Sequence, residues 1–134
     1  MGYLGTKYSK KKLLSVLYAL RAIIISIFIF SPPSIYMAIF FGCTFGVLWL
    51  STVPPTNGIV AQIFGTKYLS FLFGIVFLSH QLGAFAGAYL GGYYFDHFGN
   101  YDYAWYIAIG LSIFATLVHL PIDEKPVQRN LKFS

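Results

Sequence analysis

The sequence predicts an all-α integral membrane protein with four transmembrane helices and both termini on the cytoplasmic side. Three observations predict it. First, the 134-residue chain is 57% hydrophobic, 20% aromatic and only 10% charged, where a soluble domain carries about 25% charged residues. Between Leu13 and Ile122 the only formal charges are Arg21, Lys67, Asp96 and Asp102. Second, the apolar residues fall into runs suited to the roughly 20 residues that one helix needs to cross the hydrocarbon layer. Proline- and glycine-containing breaks separate them. Third, apart from Arg21, the basic residues sit only in the N-terminal segment, the second connection and the C-terminal tail. With four spans those three regions share one side, which the positive-inside rule makes cytoplasmic.

Residues 1–12 form a cytoplasmic segment ending in Lys10-Lys11-Lys12. The first span covers residues 13–30. A basic stretch before an apolar run also describes a signal peptide, but no small-residue cleavage site follows, so the segment is expected to be a retained span. Ser31-Pro32-Pro33-Ser34 ends it, because proline cannot continue the helical bonding pattern. The second span covers residues 35–63, with a break expected at Pro54-Pro55; neither half is long enough to cross alone past the prolines. The third covers residues 68–95. At 1.5 Å per residue it is about 42 Å long against a core of roughly 30 Å, so it must tilt or protrude. His97-Phe98-Gly99-Asn100-Tyr101-Asp102 is the next loop. The fourth span covers residues 104–120, within a four-helix region of residues 13–122, and residues 123–134 form a polar cytoplasmic tail.

Composition also excludes function classes. The net charge of +5 sits at span ends, as topology signals do, so no nucleic-acid partner is expected. Cys43 is alone in an apolar run, so no disulfide framework or cysteine metal site forms within one chain. No motif for nucleophilic catalysis, phosphate cradling or metal binding is present. The expectation is a protein that is not an enzyme and uses no metal or cofactor, with the lipid bilayer and a small-molecule substrate as its partners.

Arg21 is the charge out of place. It lies nine residues past Lys12, roughly 13 Å into the bilayer by helical rise. Intramembrane charge is costly and usually functional. One reading is a grip on an anionic substrate, since a guanidinium holds a carboxylate with two hydrogen bonds. The other is a structural ion pair with another helix. No Asp or Glu of this chain lies at matching depth, so the partner is a substrate, a backbone carbonyl or a residue outside this chain.

His80 is also near the midplane. It suits a proton relay or a substrate hydrogen bond; its structural alternative is a neutral histidine bonded to a serine or backbone group between packed helices. Gln81 adds polarity beside it. Trp49 and Thr52 flank the break at Pro54 and Pro55, and breaks that expose carbonyls are tolerated where they line a cavity. Arg21, His80, Gln81, Trp49 and Thr52 are the candidate substrate-binding residues. Gly83, Gly87 and Gly91 recur every fourth residue and form a small-residue packing face. His119 is expected near the membrane interface and His97 in the outer loop. The many Tyr and Phe residues are assigned to the lipid face and interfacial belts.

A family resemblance attaches to particular stretches. Gly2-Tyr3-Leu4-Gly5-Thr6-Lys7-Tyr8-Ser9-Lys10-Lys11 resembles the short cytoplasmic loop signature of the major facilitator superfamily, with Thr6 where an acidic residue is usual. Leu48-Trp49-Leu50-Ser51-Thr52-Val53-Pro54-Pro55-Thr56 is similar to the tenth helix of bacterial transporters related to monocarboxylate carriers. Phe64-Gly65-Thr66-Lys67 and the run from Gly74 to Gly83 are similar to that branch too. Gly92-Tyr93-Tyr94-Phe95-Asp96 with Gly99-Asn100-Tyr101-Asp102 is similar to its eleventh-helix exit, and Tyr18-Ala19-Leu20-Arg21 to its ninth helix.

The resemblance implies helices nine to twelve of a twelve-helix carrier in a bacterial inner membrane, a fragment whose remaining helices would be partners. It also implies a gating role for Gly2, Leu4, Lys7, Lys10 and Lys11, and transport of a small organic anion such as a monocarboxylate by alternating access. The rival is a stand-alone four-helix membrane protein, acting as an oligomeric small exporter or an assembly subunit. Small cation exporters need a membrane-embedded carboxylate, and none of the four spans holds one centrally.

Overall fold

The computed structural model describes residues 7–127. Gly2 and Leu4 of the loop signature lie outside the described residues. Within them the chain forms five helices, namely α1 (Lys10–Phe30), α2 (Ile35–Ser51), α3 (Val53–Phe64), α4 (Leu69–Phe98) and α5 (Asp102–His119).

Local chemistry sets the ends. Ser31 is extended, at φ −87° and ψ 147°, because the ring of the following proline disfavours the helical region for the residue before it. Ser34 then opens α2, its carbonyl accepting the Ala38 N–H at 3.0 Å. The expected break at Pro54-Pro55 falls earlier, at Thr52, and both prolines lie in the first turn of α3. The first N–H groups of a helix have no intrahelical partner, so prolines cost nothing there. They do remove the N–H groups that would serve the carbonyls of Leu50 and Ser51 four residues back. α4 runs on to Phe98 instead of stopping at Phe95, and Gly99 at φ 70° caps it in the left-handed region, which glycine enters at little cost. His97 therefore belongs to the last turn of α4, where its ring bonds the Tyr93 carbonyl at 2.9 Å.

Consecutive spans alternate direction. Ser15 near the start of α1 donates to the Thr116 carbonyl near the end of α5 at 3.0 Å, while Phe28 and Trp105 meet at the other end of the same pair with centroids 5.7 Å apart. α1 packs most extensively on α5, then on α2 and α3, whereas α4 touches α3 and α5. The core is thin and sits mainly on α1, where Leu14, Leu17, Ala22 and Ile25 are buried; at 3.6 residues per turn these four positions fall on one face. No residue of α4 is buried, and a Cβ placed on Gly83, Gly87 or Gly91 would meet nothing within 4 Å.

Among the described residues three segments are long and apolar enough to cross a membrane: Lys10–Phe30, Ile35–Phe64 counted through the break, and Leu69–Phe98, with mean hydropathies of 2.4, 1.7 and 1.6. α5 is 18 residues long, and its polar ends, Asp102 and His119, dilute an otherwise apolar run. Large apolar side chains point outward throughout, including Tyr36 at 81% and Phe30 at 79% exposure. A soluble monomer does not sustain so much exposed apolar surface, but a lipid-embedded one does.

Candidate functional site

The Arg21 side chain stands among three aromatic rings. Its guanidinium carbon is 5.2 Å from the Tyr18 centroid, 5.5 Å from Phe45 and 4.8 Å from Trp49. Tyr18 lies one turn before Arg21 on α1, the spacing that stacks side chains on one helix face. Phe45 and Trp49, four residues apart on α2, form a second such pair, with centroids 6.0 Å apart. Antiparallel packing of α1 on α2 brings the two pairs together.

The electrostatics are unusual in what surrounds the cation. Among the described residues no carboxylate or carbonyl accepts a hydrogen bond from Arg21, and its Nε is buried without a partner. Ring faces carry partial negative charge, so they hold a cation by about 0.5–2 kcal/mol each, more as water is excluded. They leave the N–H groups, which lie in the guanidinium plane, unspent. A guanidinium held this way keeps its fork of donors for an incoming anion.

The structure brings Trp49 and His80 to the same cluster. The His80 ring meets the Trp49 indole at 5.6 Å and 60°, and lies 6.1 Å from Phe77. His80 is exposed and makes no hydrogen bond among the described residues, and the neighbouring Ser79 hydroxyl is taken by the Ile75 carbonyl at 3.1 Å. A histidine satisfied by serine or backbone between packed helices is therefore not what is observed.

Two other candidates stand apart. The Thr52 hydroxyl donates to the Trp49 carbonyl at 2.8 Å, and the Thr52 N–H reaches the same oxygen at 3.3 Å. Its hydroxyl proton is committed to ending α2. Gln81 is exposed on α4, and no hydrogen bond ties it to Arg21, Trp49 or His80. Of the loop-signature lysines, Lys7 is exposed, while Lys10 bonds Gln62 and Lys11 bonds Ile122 and Glu124.

Tyr18 and Phe45 are the site residues that sequence reasoning missed, having assigned aromatic residues to lipid. Tyr18 also meets the His119 ring at 5.1 Å in a tilted arrangement, and His119 bonds the Ala115 carbonyl at 2.6 Å. The signal for Tyr18 was its helical spacing from Arg21; Phe45 had none without the α1–α2 register. Phe45 continues through Phe41 at 5.2 Å to Phe28, 4.2 Å beyond. An aromatic column thus runs along one face of α2 from Phe41 through Phe45 to Trp49, beside the break at Thr52. A groove of about 440 Å³ between α1 and α5, lined by Ala19, Ala22, Ile23 and Ile109 among others, falls opposite Arg21 on the helical wheel. It is not part of this site.

Comparison with known proteins adds one finding. A family model described as Major Facilitator Superfamily matches residues 1–134. Neither the curated proteins nor the solved structures gave a match.

Proposed function

This chain belongs to the Major Facilitator Superfamily of transporters, and from that premise we propose that it forms helices nine to twelve of a secondary carrier for a small organic anion such as a monocarboxylate. The chain is an integral membrane protein of that superfamily. In this reading α1, the α2–α3 pair, α4 and α5 are its four spans. The described ends of the chain lie at one end of the bundle, where Lys11 bonds Ile122 at 2.7 Å, and the basic residues there make that end cytoplasmic. The open face of α4 receives helices from the rest of the carrier.

The observation that carries the substrate class is Arg21, a cation held by three rings with no acid paired to it among the described residues. A carboxylate arriving there displaces no existing salt bridge, so its attraction to the guanidinium is not spent on breaking a competing pair. Trp49 forms one wall of the site. His80 meets the same indole at 5.6 Å, and in this reading it supplies a hydrogen bond or a proton as the anion passes.

The chain has two tryptophans, so a Trp105→Phe variant leaves Trp49 as a reporter beside Arg21. Titration with pyruvate or lactate should change its emission with saturation, and Arg21→Ala should abolish the change. Saturating responses that survive Arg21→Ala, or uptake of every tested carboxylate unaffected by that substitution, would remove Arg21 from the site.

A further inference from the structure

α3 follows α2 through the break at Thr52, where the carbonyls of Leu50 and Ser51 lack donors four residues on. Its angle must therefore be set by what holds its far end. That end is tied to α1 by one side chain: Lys10 Nζ donates to Gln62 Oε1 at 2.6 Å. The Lys10 stem crosses Gly58 so closely that a Cβ there would sit 2.9 Å from its Cδ and Cε.

The segment after α5 crosses both helices. On the α1 side, Lys11 Nζ donates to the Ile122 carbonyl at 2.7 Å, and the Lys11 N–H donates to the Glu124 carboxylate at 2.6 Å. On the α3 side, Gln62 Nε2 donates to the Glu124 carbonyl at 2.9 Å and the Val127 N–H to the Ile63 carbonyl at 2.9 Å. Glu124 also does what the N-cap of α1 does not, since Ser9 makes no side-chain capping bond. It places an acid against an orphan N–H at the positive end of the helix. Ser9 Oγ and Asn57 Oδ1, one on each side of this contact, are buried without partners. Opening lets both reach water, which offsets part of the cost of breaking the other bonds.

We propose that Pro121 to Val127 is a strap that clamps α3 to α1, and that lifting the strap lets α3 swing about the break at Thr52. Because Thr52 bonds the Trp49 carbonyl, the swing moves the end of α2 that faces Arg21. The strap thereby couples one end of the bundle to the aromatic cluster within it.

The test measures the distance between nitroxides on Lys12→Cys and Phe64→Cys in the full chain in lipid nanodiscs, with Cys43→Ser to remove the native thiol. The parent should give a single narrow distribution. Gln62→Ala with Glu124→Ala should add a second, displaced population, and Gln62→Ala alone a smaller one. Asp123→Ala should match the parent, because Asp123 pairs only with Lys125, on the strap itself and in solvent. A second label pair, Leu20→Cys and Leu117→Cys across α1 and α5, should not move. The proposal is overturned by a broad distribution in the parent, by strap variants that match the parent, or by a change that also appears between α1 and α5. Should the double variant not fold, Gln62→Ala alone carries the same comparison.

Discussion

The Arg21 guanidinium carbon stands 4.8 Å from the centre of the Trp49 ring, and that same indole meets His80 from α4 at 5.6 Å. One side chain thus touches both polar residues placed near the middle of the bundle, on two helices that do not pack extensively on each other. The arrangement makes testable statements about binding and about stability.

Replacing Arg21 should reduce transport efficiency more than it reduces stability. A charge-assisted hydrogen bond is worth about 1.5–3 kcal/mol, so Arg21→Ala in the carrier should lower kcat/KM for a carboxylate by roughly 10- to 100-fold. Arg21→Lys keeps the charge but loses the planar fork, and should fall between. Initial uptake rates in proteoliposomes measure both.

The cation–ring contact should appear as a coupling. Arg21→Met and Trp49→Leu, singly and together, form a double-mutant cycle whose interaction energy should be about 0.5–2 kcal/mol by denaturant unfolding in detergent. Additive effects would show that the rings merely border the guanidinium.

His80 should govern the pH response. Co-transport of a proton with the anion makes uptake rise as the outer side is made more acidic. In His80→Ala that rise should flatten. A profile identical to the parent's would exclude proton coupling through this residue.

Ser15→Ala tests the α1–α5 interface. The Ser15 side chain is buried at 6% exposure and bonds across to Thr116. Its loss should cost about 0.5–1.5 kcal/mol in the same unfolding assay, with no direct effect on the Trp49 emission response.

Gly99→Ala tests the α4 cap. At φ 70° an alanine Cβ approaches the following carbonyl, so the substitution should cost about 1 kcal/mol. It should also fray the last turn, visible as faster amide exchange at His97 and Phe98.

Whatever depended on covalent chemistry or local spacing was legible in the sequence. Pro32 and Pro33 follow the end of α1 at Phe30, and Arg21 announced itself as a cation among apolar neighbours. The break at Thr52 fell two residues before the expected Pro54 because a helix tolerates proline in its first turn, so the prolines mark the start of α3 and not the gap. Phe45 was invisible because its role comes from the register between α1 and α2, a tertiary fact. The strap was less legible still. Three of its bonds end on backbone carbonyls, those of Ile122, Glu124 and Ile63, and every residue type supplies a carbonyl.

The pairing of α1 with α5 has a consequence for how the bundle is made. Of the described helices, α1 leaves the ribosome first and its most extensive partner, α5, leaves last. Until α5 emerges, Ser15 has no acceptor across the interface, and until α2 emerges Arg21 has only Tyr18 to shelter it. The span that carries the intramembrane cation must therefore wait in or beside the insertion machinery while the others are threaded past it. A truncation after residue 101 should leave α1 open to extraction or degradation, even though every residue of α1 is intact.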